Sequence, residues 1–476
     1  MFLQKDIFGR IGLMSLSAVL KKEGHECDVL VDDLEKNIVQ KALKINPDII
    51  AFSITTGEFP WMRGIGTQIR KKFTNLIICG GAHPTFYPEV INEDYLDAIC
   101  VGEGEEAIKE FVNTLEKEEN FTKIQNFYVK KNGKIYKNEV RTLINDLDTI
   151  PFPDRKLYDR YSFFRNPKND FNGKNLVMIS RGCPFHCAFC FNKNYKELYR
   201  GKGKVFRRRS VSNVIKEIEI MKERNKYLNF LIFTDDIFTS PPKSWLYKFL
   251  EQYKEKIRIP FSIITRADLL DKDIIEKLRQ ANCYSIKMSL ESSSDFIRNK
   301  ILKKGMTNQQ VIKAANLIRK FGLKLQLFNI IGNPGETLDM AIKTFELNKK
   351  VRPTYASCYL LNPYPGTEVF DYAQKRNYID KNFDLKNINY SLHIITPIKM
   401  KNRREIWNLQ NIFGFSVYLN LPTFLVRLLI KLPFKKLYEL LFGITLMMLG
   451  VIKIHRANFI NSLKVSLLNL SKHVFT

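Results

Sequence analysis

The sequence predicts an α/β chain: a doubly wound parallel sheet, then a partial (β/α)6 barrel, then a basic, apolar helical region. Three observations predict it. Short β-branched runs alternate with helical periodicity twice along the chain. Long apolar stretches replace that alternation after about residue 400. Three of the eight cysteines crowd into RGCPFHCAFCF, residues 181–191, where the second alternation begins. Strands that alternate with helices build a parallel sheet covered on both faces.

The elements follow in order. CDVLV (27–31), DIIAFSI (48–54), LIICGG (76–81) and DAICVGEG (97–104) read as strands, with IGLMSLSAVLKKEG and WMRGIGTQIRKKF as helices between them. NFYVKKNGKIYKN reads as a hairpin turning at Asn132-Gly133. The proline-marked DTIPFPDR is expected to be a linker. Six further strands are expected at 175–180, 229–236, 259–266, 283–292, 324–332 and 355–366, with helices at 211–226, 242–255, 271–281, 307–321 and 336–349. Chemistry on a barrel of this kind sits at the C-terminal ends of the strands. The expected divisions are 1–145 for the first sheet, 146–172 for the linker, 173–385 for the barrel and 386–476 for the helical region.

Composition narrows the function classes. The chain has 476 residues, enough for two or three domains, and a formal net charge of +27 that lies mostly beyond the first 150 residues. A basic surplus fits an anionic partner, and it equally fits a Lys-, Asn- and Ile-rich compositional drift. No zinc finger and no RNP aromatic pattern is present, so no nucleic-acid partner is expected. Cys27, Cys79, Cys100, Cys283 and Cys358 are scattered, which predicts unpaired thiols in a reducing, cytoplasmic setting. Lys5, Asp6 and Arg10 interrupt the apolar start, and no signal peptide is expected.

The clustered cysteines are spaced Cys183-x3-Cys187-x2-Cys190. Three thiolates on one short loop suit three corners of a cubane iron–sulfur cluster, leaving the fourth iron open to another ligand. Zinc wants a fourth protein ligand and paired CxxC spacing. His186 is the available candidate, but beside Cys187 its backbone geometry makes shared ligation awkward. Three loop thiols with no ligand would be an oxidation liability.

The CxxxCxxC loop after a first barrel strand, with Phe189 before its last cysteine, resembles the radical S-adenosylmethionine superfamily. That resemblance implies a [4Fe–4S] cluster on Cys183, Cys187 and Cys190, with the amino and carboxylate groups of S-adenosylmethionine on the open iron. Cleavage then gives methionine and a 5′-deoxyadenosyl radical. The resemblance also implies cofactor contacts further along the barrel. FTDDIF carries Asp235-Asp236 where the superfamily usually has Gly-Gly-Glu near the methionine amino group, a substitution that recurs in the cobalamin-associated branch. TRAD (265–268, with Arg266) and MSLES (288–292) are similar to that branch, with Glu291 toward the ribose. NIIGNPGET, with Asn329 and Gly332, resembles the segment that packs on the adenine. From the residues alone, Glu291 also reads as a helix N-terminal acid and Asp235-Asp236 as a turn pair.

SITTG (53–57), GGAHPTFYPE (80–89) and VGEGEEAI (101–108) resemble the loops of the cobalamin-binding Rossmann-like domain that precedes the barrel in that branch. The likeness runs from about 10 to 375. It implies that Thr55, Thr56, Gly80, Gly81, His83, Gly102, Glu103 and Gly104 line cobalamin. The DxHxxG motif is absent, so His83 reads as a cobalt ligand or as a loop-shaping hydrogen bond, and GEGE also as a helix N-terminal charge pair. The family opens on a central strand that ends in a Pro-rich turn. This chain opens at MFLQKDIFGRIGLMSLSAVL, which is similar to the remnant of that turn and the first helix. The sheet is therefore expected to lack its first strand, through a late start or a truncation, and cobalamin binding to suffer.

The resemblance implies cobalamin-dependent methyl transfer to an unactivated carbon of a small molecule, with an electron donor of flavodoxin or ferredoxin type. The alternatives are a radical cyclase or oxidative rearrangement, as in enzymes acting on porphyrin esters, and a cobalamin or iron–sulfur binding module without turnover. Beyond residue 400, Arg427, Lys431, Lys435 and Lys436 interrupt apolar runs, a pattern that suits a helix lying in a membrane surface. That predicts peripheral membrane contact and a substrate that is lipid-like or a membrane-dissolved ring system. A helical cap over the barrel is the other reading. The uncharged run Leu440 to Ile452 is too short to span a bilayer.

Overall fold

The computed structural model describes residues 1–166, 175–380, 382–383 and 396–457. The end of the expected linker, the expected 385/386 division and everything past 457 lie outside the described residues.

The first sheet has seven strands: β1 (Phe2–Gln4), β2 (Val29–Val31), β3 (Ile49–Ser53), β4 (Leu76–Gly80), β5 (Ala98–Cys100), β6 (Phe127–Lys131) and β7 (Lys134–Lys137). Their order is β2-β1-β3-β4-β5-β6-β7. The first five are parallel, and β6 and β7 form the expected antiparallel hairpin at Asn132-Gly133. Apolar side chains fill both faces, as a doubly wound sheet requires.

The expectation of a missing first strand is wrong. β1 lies between β2 and β3, with Phe2 opposite both Val29 and Ala51. Three residues suffice because neighbours on both sides supply ladders, and the chain end extends them. The terminal amine donates to the Ile49 carbonyl at 2.8 Å, and the Ala51 amide donates to the Met1 carbonyl at 2.9 Å. The strand ends where Gln4 turns inward: its Nε2 donates to the carbonyls of Asp6 and Phe8, and its Oε1 accepts from the Tyr158 hydroxyl. Tyr158 belongs to the segment expected to be a linker. With Leu157 and Phe164 it is buried under the sheet, so that segment is part of the packed unit.

The second sheet has six parallel strands in sequential order: β8 (Leu176–Val177), β11 (Leu231–Phe233), β12 (Phe261–Thr265), β13 (Cys283–Glu291), β14 (Lys324–Ile331) and β15 (Tyr355–Leu360). Between the first two of these, β9 (Ser180–Arg181) and β10 (Arg207–Arg208) form a separate antiparallel pair. Helices at Val211–Arg224, Lys243–Lys256, Lys272–Gln280, Asn308–Lys320 and Leu338–Val351 follow the strands and bury an apolar layer against their outer face. This is the open barrel that the alternation predicts.

The run expected as one strand at 175–180 is broken after Val177. The Asp235 carboxylate accepts hydrogen bonds from the Ile179 and Ser180 amides and from Ser180 Oγ. It takes the place of a strand partner and turns the chain out of the barrel sheet toward Cys183.

After residue 400, helices at Arg403–Tyr418 and Thr423–Leu429 lead to a continuous helix Lys435–Ile454. Ile406, Leu409, Ile412 and Phe413 pack on β15. The twenty-residue helix takes in Glu439 and Lys453 and is, by length and composition, long enough to cross a membrane. The uncharged run within it understated its length.

Leu3, on β1 between β2 and β3, is fully buried. Leu3→Asp should cost upwards of about 4 kcal/mol, because a carboxylate would stand in the apolar layer without a partner. Urea unfolding should show early loss of this sheet. An unchanged midpoint would show that β1 contributes little.

Candidate functional site

The chemistry-bearing loops meet where the C-terminal ends of both sheets face each other. Arg181, two residues before Cys183, carries the contact. Its guanidinium donates to Glu105 at 2.5 Å and lies 3.4 Å from Glu103. Arg207, nearly buried, also holds Glu103 at 2.5 Å. Burial opposes the Arg181 charge, but the two carboxylates outweigh it and raise its pKa. Tyr195 and Tyr199 complete the joint: one hydroxyl donates to Glu103 Oε1, and the other accepts from the Glu103 amide.

This placement alters the expected roles of Gly102, Glu103 and Gly104. Gly102 has φ +87°, and a side chain there would strike the Tyr199 hydroxyl. Gly104 packs against Leu16. GEGE therefore binds the barrel loop, and its side chains are committed to protein.

The three thiols stand on the loop that Arg181 fixes. All eight cysteines are unpaired. Among the described residues no three His, Cys, Asp or Glu side chains converge on one ion. A cubane needs no such convergence, since each thiolate takes a different iron. The surroundings suit anionic sulfur. Arg266 stacks on Phe185 with its guanidinium carbon 3.7 Å from the ring centroid, and its Nη1 lies 4.0 Å from Cys187 Sγ. Lys196 donates to the Phe185 carbonyl, and Lys304 acts electrostatically on Cys187. Nearby cations lower thiol pKa values while burial raises them, and for Cys187 burial is the larger effect. Binding to iron would tip that balance by displacing the thiol protons.

The other expected barrel residues divide. Asp236 stands at the loop: its Oδ2 accepts from Asn192 Nδ2 at 3.2 Å, and the same amide lies 3.6 Å from Cys190 Sγ. Arg266 and Glu291 also line the thiol side. Glu291 sits at the end of β13 with φ +64° and pairs through Oε1 with Lys304 at 2.9 Å. Asp235 does not face the loop's outer side. Its carboxylate, pushed up to about 6 by burial, is used on the backbone described above. Asn329 is turned away as well, in a reciprocal amide pair with Asn348. Gly332, at φ +73°, is covered by Met400, Leu360 and Ile406.

At the rim of the first sheet, Thr55 is exposed and caps Glu58. Thr56 Oγ1 lies 3.3 Å from His83 Nδ1. His83 is fully buried, stacked on Phe59 at 4.6 Å, with its pKa lowered to about 4 by burial. It shapes the loop and does not reach out of it; its Nε2 has no partner. Gly81, at φ +97°, lets its turn press on the Ile54 backbone, which a side chain would prevent. The rim thus presents Thr55 and the Gly80–Gly81 backbone, with His83 buried behind it. That fits a flat ring held by backbone contact without a cobalt ligand from His83. Phe86 projects from the rim and stacks on Phe191 at 4.3 Å, directly after Cys190.

Sequence reading missed Lys304, Lys196, Asn192, Arg181 and Arg207, since single basic or amide residues in loops carry no spacing signal. It also passed over Asn333 and Glu336 inside NIIGNPGET. Glu336 Oε2 accepts from the Asn333 amide and side chain, while Glu336 Oε1 and Asn333 Oδ1 are buried without partners. Burial pushes Glu336 up to about 7.

Comparisons with known proteins agree with this geometry. Residues 177–347 match the radical SAM superfamily, and residues 5–112 match the B12 binding domain. An uncharacterised methyltransferase of Pyrococcus horikoshii is 31% identical over 376 residues, covering 77% of this chain and 79% of that protein. The anaerobic magnesium-protoporphyrin IX monomethyl ester cyclase of Rubrivivax gelatinosus is 25% identical, covering 86% of this chain and 74% of that protein. Among solved structures, the cobalamin-dependent S-adenosylmethionine radical enzyme OxsB superposes with a TM-score of 0.67 at 17% identity, covering 99% of this chain and 79% of that one. The radical S-adenosylmethionine methyltransferase TsrM from Kitasatospora setae gives 0.63 at 16% identity, covering 79% and 74%.

Arg181→Met should cost about 3–5 kcal/mol, because Glu105 would be left buried and unpaired beside Ser15. Adding Glu105→Gln should recover part of that loss in denaturant unfolding. Equal stability of the single and double variants would mean that the pair is not coupled.

Proposed function

This chain belongs to the radical S-adenosylmethionine family whose members carry a B12-binding domain, and we propose that it methylates an unactivated carbon of a small molecule. One observation supports this above the others: the thiol loop and the rim of the first sheet face each other, with Phe86 stacked on Phe191 beside Cys190. A group held on the rim and a group held on the loop would then share one chamber.

In this reading Cys183, Cys187 and Cys190 hold a [4Fe–4S] cluster, and the rim at Thr55 and Gly80–Gly81 holds cobalamin. When bound, the cluster, reduced by a carrier of flavodoxin or ferredoxin type, would supply the electron that cleaves S-adenosylmethionine, and cobalamin, remethylated from a second S-adenosylmethionine, would supply the methyl group. The protein's part is positioning and charge. Arg266 and Lys304 offset the negative charge of the thiolates, and Glu291, its Oε1 held by Lys304, offers Oε2 to the ribose hydroxyls. Asp236 and Asn192 stand at the last thiol. Arg181 holds the loop at a fixed distance from the rim, which the transfer of a group between two cofactors requires.

Anaerobically reconstituted protein should convert S-adenosylmethionine to 5′-deoxyadenosine. Alanine at Cys183, Cys187 or Cys190 should cut that at least ~100-fold and remove the brown chromophore, whereas Cys283→Ala and Cys358→Ala should keep both. A full iron complement in the triple variant would sink the assignment. With methyl-deuterated S-adenosylmethionine the label should appear in the product; an unlabelled, oxidised product would identify a cyclase.

The C-terminal helices provide a membrane-surface contact in this reading, and the substrate is lipid-like or membrane-dissolved. Their inner side packs on β15. Their outer side exposes Phe424 (68%), Leu428, Phe434, Leu437, Leu440 and Ile444. Arg427, Lys431, Lys435 and Lys436 lie exposed among them. Exposed apolar side chains with bases among them suit anionic headgroups. The protein should float with anionic liposomes more than with neutral ones, and less at high salt. Phe424→Asn, Leu428→Asn, Phe434→Asn and Leu437→Asn together should abolish flotation. Equal flotation of that variant would place the contact elsewhere.

A further inference from the structure

The barrel interior holds a charge that the assigned chemistry does not use. On β13, Ile286, Met288 and Leu290 pack into the outer apolar layer. Alternation therefore turns Ser285, Lys287, Ser289 and Glu291 into the lumen. Ser289 and Glu291 are taken by Lys304, and Ser285 Oγ donates to the Ile454 carbonyl at 2.8 Å. Lys287 is only 6% exposed and makes no hydrogen bond or ion pair with any described residue. Its ammonium is not among the fully sealed unpaired atoms, so a small part of it stays accessible.

Its surroundings are polar and incomplete. Ile264 and Gln326 are its register partners on β12 and β14, and Gln326 Nε2 donates to Ser357 Oγ on β15. Ser262, the lumen residue before Ile264, has a buried hydroxyl without a partner. His455, at the end of the long helix, has an unpartnered Nδ1 and is close enough to feel the Lys287 charge. The helix end lends partial negative charge but makes no hydrogen bond with the ammonium. Burial alone pushes the Lys287 pKa down to about 8, so at neutral pH it is mostly charged. A nearly buried ammonium with no partner among the described residues is costly to keep.

We propose that Lys287 is the floor of the substrate site and takes an acidic group of the substrate, a carboxylate, phosphate or phosphonate. Lys287 lies four residues below Glu291, about 13 Å along the strand. The acidic group would enter first, and the carbon to be modified would remain near the thiol loop. The lumen polar groups then make sense as a pocket whose missing member is an anion. This inference rests on the methylation reading given above, and it names the class of substrate.

The test uses reconstituted holoenzyme with S-adenosylmethionine, titrated calorimetrically with methylphosphonate, inorganic phosphate, butyrate and neutral butyramide. At least one anion should bind tenfold or more tighter than butyramide. Lys287→Met should weaken that anion at least tenfold, and Lys287→Gln should do the same. The arms separate phosphorus acids from carboxylates. A purely structural role for Lys287, as a partner for the helix end, predicts that both variants melt at lower temperature than wild type. The ligand role predicts equal or higher melting temperatures, because an unpaired charge has been removed. Undiminished anion binding in both variants, no anion binding in wild type, or clear destabilisation of both variants overturns the proposal. Formation of 5′-deoxyadenosine by the same wild-type preparation tests separately the S-adenosylmethionine cleavage on which that reading depends: cleavage without Lys287-dependent binding sinks only the inference, and binding without cleavage sinks only the reading.

Discussion

The geometry of the centre depends on one buried ion pair. Arg181 stands on β9 immediately before the thiol loop, and Glu105 opens the helix after β5, so the pair ties the two sheets together at their functional ends. Neither partner is free to reorient. Glu105 also accepts from Ser15, and Glu103 is shared between Arg181 and Arg207. Buried pairs of this kind add little net stability against an apolar alternative, but they punish misalignment heavily. That property suits a joint between two cofactor-bearing surfaces, where distance matters more than strength.

A second constraint acts within the barrel. A strand that continued past Val177 would carry the cysteines up the barrel wall. Asp235 prevents this by taking the amides that a neighbouring strand would otherwise satisfy. The loop then leaves the sheet, meets the cations of Arg266, Lys196 and Lys304, and returns through the stack of Phe191 on Phe86. Burial disfavours a free thiolate at Cys187, and the cations only partly offset it. The loop is thus arranged for sulfur bound to metal more than for free thiolate.

The C-terminal helices have two different faces. The inner face completes the core over β15 and sends the end of the long helix against the barrel strands, where Ser285 caps the Ile454 carbonyl. The outer face leaves large apolar side chains in water beside lysines. The cap and the proposed interfacial surface, which look like rival readings of one sequence pattern, concern opposite sides of the same helices.

Much of the molecule was legible in the sequence. The strand–helix alternation located four of the six barrel strands, β11 to β14, to within three residues at each end, because apolar runs bounded by helices admit few other arrangements. The cysteine spacing singled out the loop, because only a shared ligand explains three thiols so close together. Other features required the fold. The first strand was invisible because three residues carry no period, and it exists only because β2 and β3 flank it. GEGE resembled a cofactor loop, yet its carboxylates meet arginines some 76 and 104 residues away. Asp235 looked like a ligand residue and is a backbone tie, while Lys287 and Lys304 looked like ordinary basic residues and are buried in the barrel. Periodicity and spacing are local, so most of the elements and the cysteine loop could be read from the residues alone. Which charges are buried, and what each one faces, depends on chain segments brought together from far apart, and only the tertiary structure decided that.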